Sequence, residues 1–515
     1  MTQVYKGYPI WFWSAIVLGI LLRIASIWWN DRLLGDVNLF ALTAREYAES
    51  GELNYPMKYD FSEKTSWGSL ESAQSQHPPL WSFVAGSLAD ILGTKNTYGI
   101  LQGMSLFSQI LLLYITFKLG SFFGKECVTF ILPMVALSPL LIDFAGNGSQ
   151  YTMGAVLMLG SCCLLMERGA GNLLKFFCSG ALCGLAYCIH GAFVLTIGAV
   201  ILASVLSKVS KIEKFSNAFF AIFGFVLVLI PLAFYRVEHF GSVLHNLNSI
   251  YIAGVLGKLS IISNADGIHW FASDAWNYAD FIAYAQNCLE VWFKFFVSIL
   301  WEWGPAGVLL GIFALFAKRK PKRILILVFL ATYLIPIFLW PGFKSRFLAP
   351  LLPIAFLFSY FGFLSLKEDF PKFFLAGRIC LWGIPIWFAF SWICSSILTG
   401  SPSRYYTFDL KHKSDYTDML EMVEKMKTLK PSLVVGSARS LDGGLEALYY
   451  HEFPYVHARG FDWKLIERIR NDYNAKYFWT DEIMLSKYEA YTDKLKLVAT
   501  SGKFRLFEFI DRALL

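Results

Sequence analysis

The chain of 515 residues is 56% hydrophobic and 17% aromatic but only 16% charged, and its mean hydropathy is +0.49. Soluble domains carry about 25% charged residues, so this composition excludes a soluble globular protein and points to one that crosses a membrane repeatedly. The net charge of +7 reads as topology rather than nucleic-acid affinity, because the basic residues cluster between apolar runs.

A span needs roughly 20 apolar residues. The first candidate is near 9–29, too long for a cleavable signal and without a small-residue cleavage site, so it is expected to act as an uncleaved anchor. After a polar loop, the short run Pro79–Gly93 reads as a juxtamembrane or re-entrant helix. Further spans are expected near 98–119, 127–145, 150–166, 173–189, 192–207, 215–235, 303–317, 324–341, 347–365 and 373–398. That gives about eleven transmembrane helices. The positive-inside rule places Lys118, Lys125, Arg168, Lys175, Lys208, Lys211, Lys214, Lys367, Lys372 and the cluster Lys318–Arg323 on the inner face. The N-terminus is then cytoplasmic, and the loops 30–79 and 236–302 are external.

Loop 236–302 is too long for a simple connector, and Val291–Trp303 reads as a surface-lying helix. Its aromatic residues, among them Tyr251, Trp270 and Trp276, fit either an interfacial belt or a platform on which a substrate stacks. Beyond Thr399 the composition turns polar. Met419–Leu429 and Leu445–Tyr450 read as helices, Ser432–Gly436 and Lys476–Thr480 as strands, and Leu495–Ala499 with Phe504–Phe509 as a terminal hairpin. This alternation predicts a soluble α/β domain over 401–515, external and following a transmembrane domain over 1–400. The cysteines lie mostly in or beside apolar segments and none lies beyond residue 400. They read as small buried hydrophobes rather than disulfides or metal ligands.

The stretch Gly35–Pro79 carries the chemistry. Asp36 follows the first span by a few residues, and Leu39, Phe40, Leu42 and Tyr47 then keep a loose helical period that Gly51 ends. The pattern predicts an amphipathic helix lying on the membrane, with Asp36 where the helix dipole favours a carboxylate. An N-cap Asp in an ordinary loop remains the alternative. The loop closes on His77-Pro78-Pro79-Leu80.

An acid just after the first span, an Ala-Leu-x-Ala-Arg helix, a Ser-Gly stop and a later x-Pro-Pro-Leu together resemble the first external loop of GT-C glycosyltransferases. The nearest group is that of the protein O-mannosyltransferases and aminoarabinose transferases, which use polyprenyl-phosphate sugars. The family usually has Asp-Glu where this chain has Asp36-Val37, and often Tyr where it has Leu39 and Phe40. The resemblance implies a GT-C fold and transfer of a sugar from a polyprenyl-phosphate donor to a glycan, lipid or protein acceptor on the outer face of the plasma (inner) membrane. It implies Asp36 as the general base of an inverting displacement.

The resemblance also places His77 and Arg346 at the donor phosphate. Arg346 taken alone could instead snorkel to headgroups. Lys58 and Arg45 are further basic candidates on the same face, and Arg45 could pair with Glu49 one turn away. A second acid is common in the family after the second full span. That position falls nearer Gln150, which leaves Asp143 as a candidate substitute. The external histidines lack ligand-like spacing, so no metal ligands are assigned and no cofactor is called for, with a divalent cation left open. Two rival readings are a flippase or transporter of lipid-linked sugars, against which stands the absence of an internal repeat, and a glycan polymerase or ligase. A non-catalytic receptor is a third.

Overall fold

The computed structural model describes residues 7–30, 36–53, 58–61, 78–167, 172–207, 209–240, 243, 278–314, 321–338, 345–399, 410–429, 433–437, 455–459, 463–485, 491 and 493–510. Among these the chain is a bundle of apolar helices followed by a small sheet. The helices α1 (Ile10–Trp29), α2 (Asp36–Ser50), α3 (Leu80–Leu92), α4 (Thr97–Ser121), α5 (Lys125–Leu137) and α6 (Pro139–Gly146) form the first part. They are followed by α7 (Tyr151–Met166), α8 (Asn172–Ile189), α9 (Thr196–Leu206) and α10 (Lys211–Phe240). The bundle closes with α11 (Tyr278–Trp303), α12 (Pro305–Ala314), α13 (Pro321–Phe338), α14 (Leu352–Glu368) and α15 (Phe374–Thr399).

The outer faces of α1, α10 and α15 expose Val17, Leu21, Phe215, Val226, Trp382 and Ile386. Rows of this kind, on long apolar helices, fit a lipid-facing surface. Among the described residues, four helical stretches are long and apolar enough to cross a membrane: Ile10–Trp29, Thr94–Ser121, Lys211–His239 and Pro371–Ile397. Two bent pairs bring the number to 6. Several of the spans expected from the sequence are helices of 10–17 residues, such as Tyr151–Met166 and Leu173–Ile189.

The expected span 127–145 is one of the bent pairs, α5 and α6 meeting at 54°. Pro139 stands at the first position of α6 and has no N–H to give to the carbonyl of Val135. A carbonyl freed inside a membrane needs another donor. Arg23 supplies it: the guanidinium is fully buried, donates to the Val135 carbonyl at 2.8 Å and to that of Ala136, and returns to Gly19 on its own helix at 3.0 Å. Gly146, at the end of α6, lies against the backbone of Ser26 so closely that a Cβ would collide. The other bent pair is the end of α11, Trp292–Trp303, with α12, which meet at 103°. Gly304 makes that corner with φ +80°, a conformation that only glycine adopts at low cost. The helix expected at Val291–Trp303 therefore exists, as the end of the longer α11.

Beyond the bundle come α16 (Leu410–Leu429), β2 (Val434–Ser437), β3 (Tyr455–Arg459), α17 (Trp463–Tyr473), β4 (Tyr477–Asp481), β5 (Leu495–Ser501) and β6 (Phe504–Phe509). Strand β1 (Lys58–Phe61) comes from the first polar loop. Together the strands make a six-stranded sheet in the order β1-β3-β2-β4-β6-β5. The pairings β1–β3, β3–β2 and β2–β4 are parallel, while β4–β6 and the hairpin β5–β6 are antiparallel. Alternate side chains serve two cores. Val435, Phe478, Phe507 and Phe509 pack with Trp463, Ile466 and Ile469 of α17. Val434, Tyr477, Trp479, Phe504 and Leu506 share a second cluster with Met419, Met422, Val423 and Met426 of α16 and with residues of α2, α3 and α4.

The terminal hairpin, β2, β4 and α16 stand where the sequence placed them. Strands β1 and β3 and helix α17 were not expected, and the helix expected at Leu445–Tyr450 lies outside the described residues.

Candidate functional site

Asp36 opens α2. The helix differs from expectation: Val37 to Ala44 is buried throughout rather than half exposed on a membrane surface. It packs on α3, where Gly86 lets the two backbones approach so that a Cβ would stand 2.7 Å from the carbonyl of Ala44. The apolar residues of α2 belong to the cluster that includes α16 and the sheet. An isolated sequence periodicity sees one apolar stripe, whereas a covering domain buries the remaining faces as well.

The start of α2 is fixed by the loop between α6 and α7. Val37 lies against Gly148, where a Cβ would be 3.0 Å from Val37 Cγ1 and 3.2 Å from Leu101 Cβ. That loop is itself tied down: Trp81 Nε1 of α3 donates to the Gly148 carbonyl at 3.1 Å. Gln102 of α4 donates to the Gly146 carbonyl at 2.7 Å, and Ser105 to that of Ser149 at 3.0 Å. The apolar Val37 side chain thus packs the start of the helix onto this loop.

Asp143 is buried on α6. Its Oδ1 accepts from Trp29 Nε1 and from Asn30 Nδ2, both at 3.0 Å. Those donors terminate α1, and the Asn30 carbonyl receives further bonds from Tyr98 Oη at 2.6 Å and Gln102 Nε2 at 2.8 Å. Asp143 therefore anchors the end of α1 that leads to Asp36. Gln150 follows on the same loop, wholly buried, with neither its amide nitrogen nor its amide oxygen hydrogen-bonded. An unsatisfied buried amide costs about 1–3 kcal/mol, a cost that a ligand's hydroxyl groups would remove.

Arg346 lies in the 3₁₀ helix Ser345–Leu348. The next residue, Phe347, is buried against the ring of Tyr151 at 5.4 Å between centroids, and its carbonyl accepts from Tyr333 Oη at 3.1 Å. Tyr151 Oη and His190 Nε2 lie 2.8 Å apart. His190 Nδ1 accepts from the Ala192 amide at 3.1 Å, so the proton of a neutral ring sits on Nε2 and is donated to Tyr151. Two tyrosines and a histidine thus hold the turn that carries Arg346.

Arg45 is half-buried in α2. Lys58 opens β1, in register with Val456 of β3, so it belongs to the sheet edge as well as to the first loop. His77, Tyr251, Trp270 and Trp276 lie outside the described residues. Among the described residues no three His, Cys, Asp or Glu side chains come together as they would around a metal ion.

The sequence reading missed Arg23, Asn30, Gln102 and the Tyr151–His190 pair. A lone arginine inside an apolar span was a usable signal, since such charges are retained for a structural or functional reason. The others carry no local pattern.

No family model matches the chain, and no curated protein matches its sequence. Solved structures match it in fold. ArnT from Cupriavidus metallidurans, crystallised bound to undecaprenyl phosphate, is 10% identical and aligns with a TM-score of 0.54 over 98% of this chain and 98% of its own. The same protein in the apo state gives 0.53 over 97% and 98%, again at 10% identity. The Archaeoglobus fulgidus oligosaccharyltransferase in the apo form is 14% identical, with a TM-score of 0.55 over 94% of this chain and 71% of its own. Both are GT-C glycosyltransferases. The chain has this polytopic membrane fold with a small C-terminal sheet: the first-loop resemblance implied the fold, and the alternation beyond residue 400 the sheet.

Proposed function

We propose that this protein is an inverting membrane glycosyltransferase. It moves a sugar from a polyprenyl-phosphate donor to a glycan, lipid or protein acceptor at the end of the bundle that carries the sheet. The observation that carries this reading is the place of Asp36 in the chain: it is the first residue of α2, and the next residue, Val37, packs against Gly148 of the loop between α6 and α7. The fold shared with a transferase crystallised with undecaprenyl phosphate supports the donor class.

In this reading Asp36 takes the proton of the acceptor hydroxyl as its oxygen attacks the anomeric carbon. The bond from that carbon to the phosphate oxygen breaks, and its electron pair leaves with the polyprenyl phosphate. Arg346, with His77, Lys58 and Arg45 as further cations, balances the charge on the departing phosphate. Asp143 holds the end of α1 rather than touching the reacting atoms, and Gln150 offers its free amide to substrate hydroxyls. Tyr251, Trp270 and Trp276 form a stacking platform for sugar and acceptor. No step is routed through a metal ion. The proposed setting is the plasma (inner) membrane with the N-terminus cytoplasmic. The domains are a transmembrane domain over 1–400 and an external one over 401–515, the latter sharing its sheet with β1.

The test is transfer by purified protein in nanodiscs with a panel of radiolabelled polyprenyl-phosphate sugars, wild type beside Asp36→Asn. Loss of about 10²–10⁴-fold in turnover with one donor, while that donor still binds, supports the assignment. A wild-type rate in Asp36→Asn removes Asp36 as base. Movement of labelled lipid between leaflets without transfer replaces the whole reading with a transporter.

A further inference from the structure

A second cavity lies at the other end of the bundle. Helices α7 and α8 both have one end at the candidate site, at Tyr151 and at Ile189, and α13 ends there with Tyr333 bonded to Phe347. Their opposite ends, with the end of α9 and the start of α10, enclose a space of about 490 Å³. Its walls are mainly apolar, with Phe176, Ala203 and Val328 among them, and its polar lining includes Lys175, Lys322 and Asn217. Among the described residues no acidic side chain lines it.

Three features point to an anion. Asn217 is 1% exposed and its Nδ2 has no hydrogen-bond partner, which leaves a buried donor unmet. Lys175 donates to the Glu167 carbonyl and Lys322 lies over the Phe122 ring at 4.9 Å, but among the described residues neither is paired with a carboxylate. Both lysines also sit in the first turn of their helices, α8 and α13, where the helix dipole opposes a cation and welcomes an anion. The apolar walls are too extensive for a free ion, and two of the lining residues, Leu206 and Ile324, are themselves exposed on the outside of the bundle, so the cavity continues into an apolar outer surface.

We infer that this cavity binds an anionic glycerophospholipid from the leaflet opposite the candidate site. The phosphate meets Lys175, Lys322 and the Asn217 amide, and an acyl chain lies along Phe176 and Val328. This goes beyond the transferase reading and does not depend on it, since the two sites lie at opposite ends of the bundle.

The experiment is native mass spectrometry of the delipidated full chain titrated with dioleoyl phosphatidylglycerol, dioleoyl phosphatidylcholine and glycerol 3-phosphate. Wild type is run beside Lys175→Gln/Lys322→Gln and beside Ala203→Trp, which fills the space. Phosphatidylglycerol is expected to bind wild type about tenfold or more tighter than either variant, with phosphatidylcholine weaker on wild type and glycerol 3-phosphate not retained. Unchanged phosphatidylglycerol binding in both variants, equal binding of the two lipids, or retention of glycerol 3-phosphate alone each overturns the proposal. Unfolding temperatures of the variants, measured alongside, separate loss of the site from loss of the fold. Binding is read without turnover, so an inactive preparation does not affect the outcome.

Discussion

Arg23 donates to the carbonyl of Val135 at 2.8 Å, the group that Pro139, four residues on, has no N–H to satisfy. One helix thus repairs the break in another, and the repair seats α6 and its Asp143 against the end of α1. Replacing Arg23 by Leu leaves buried carbonyls without donors and is expected to cost about 2–4 kcal/mol. Pro139→Ala restores an N–H at that position, so the double variant should lose less than the two single losses added together. Thermal unfolding in one detergent measures all four proteins, and strict additivity would refute the coupling.

Gln150 lies buried at the candidate site with its amide unbonded. Gln150→Met is expected to raise the unfolding temperature, because an unmet polar group is exchanged for an apolar one of similar size. The same change should weaken substrate use by about tenfold, chiefly through KM if the amide binds substrate and transition state alike. Movement of both quantities in the same direction would show that Gln150 is part of the packing and nothing more.

Gly304 turns the corner between α11 and α12 at φ +80°, and a Cβ there would stand 2.7 Å from Trp387 Cδ1. Gly304→Ala therefore meets backbone strain and a collision together, and a loss of about 1–3 kcal/mol is expected. The neighbouring Ala306→Gly serves as control, since it changes the helix without reaching the corner. The unfolding temperature of each variant is the readout.

Within the sheet region, Lys494 Nζ contacts Glu467 Oε1 of α17 at 2.6 Å. This bond holds the carboxyl of Glu467 below its ordinary value of 4.5. A depressed carboxylate stabilises the fold above the ordinary value, and the contribution is lost as the pH falls through the depressed one. The pair is partly exposed, so the effect should stay below about 1 kcal/mol. Wild type is expected to unfold at a slightly higher temperature than Glu467→Gln at pH 7, with the gap closing as the solution is acidified below 4.5. A gap that widens toward acid would reverse the assigned sign.

Composition and apolar run length alone determined a helical membrane protein with a polar C-terminal domain, because burying or lipid-solvating a long apolar helix is a local property of the chain. The first-loop motif determined the kind of fold, since Asp36, the Ala-Leu-x-Ala-Arg helix and His77-Pro78-Pro79-Leu80 lie close together in sequence. The β5–β6 hairpin was legible for the same reason: strand alternation and a short turn need no distant partner.

What the tertiary structure decided was long-range. Strand β1 joins β3 across most of the chain, Val37–Ala44 of α2 is buried all round in an apolar cluster shared with the C-terminal layer, and the span near 127–145 breaks at a proline that Arg23 compensates. Each depends on a partner remote in sequence, and a pairing between one donor and one distant carbonyl leaves no period or spacing behind. The position of Val37 makes the same point: in sequence it is a missing carboxylate, and in space it is the contact that seats Asp36.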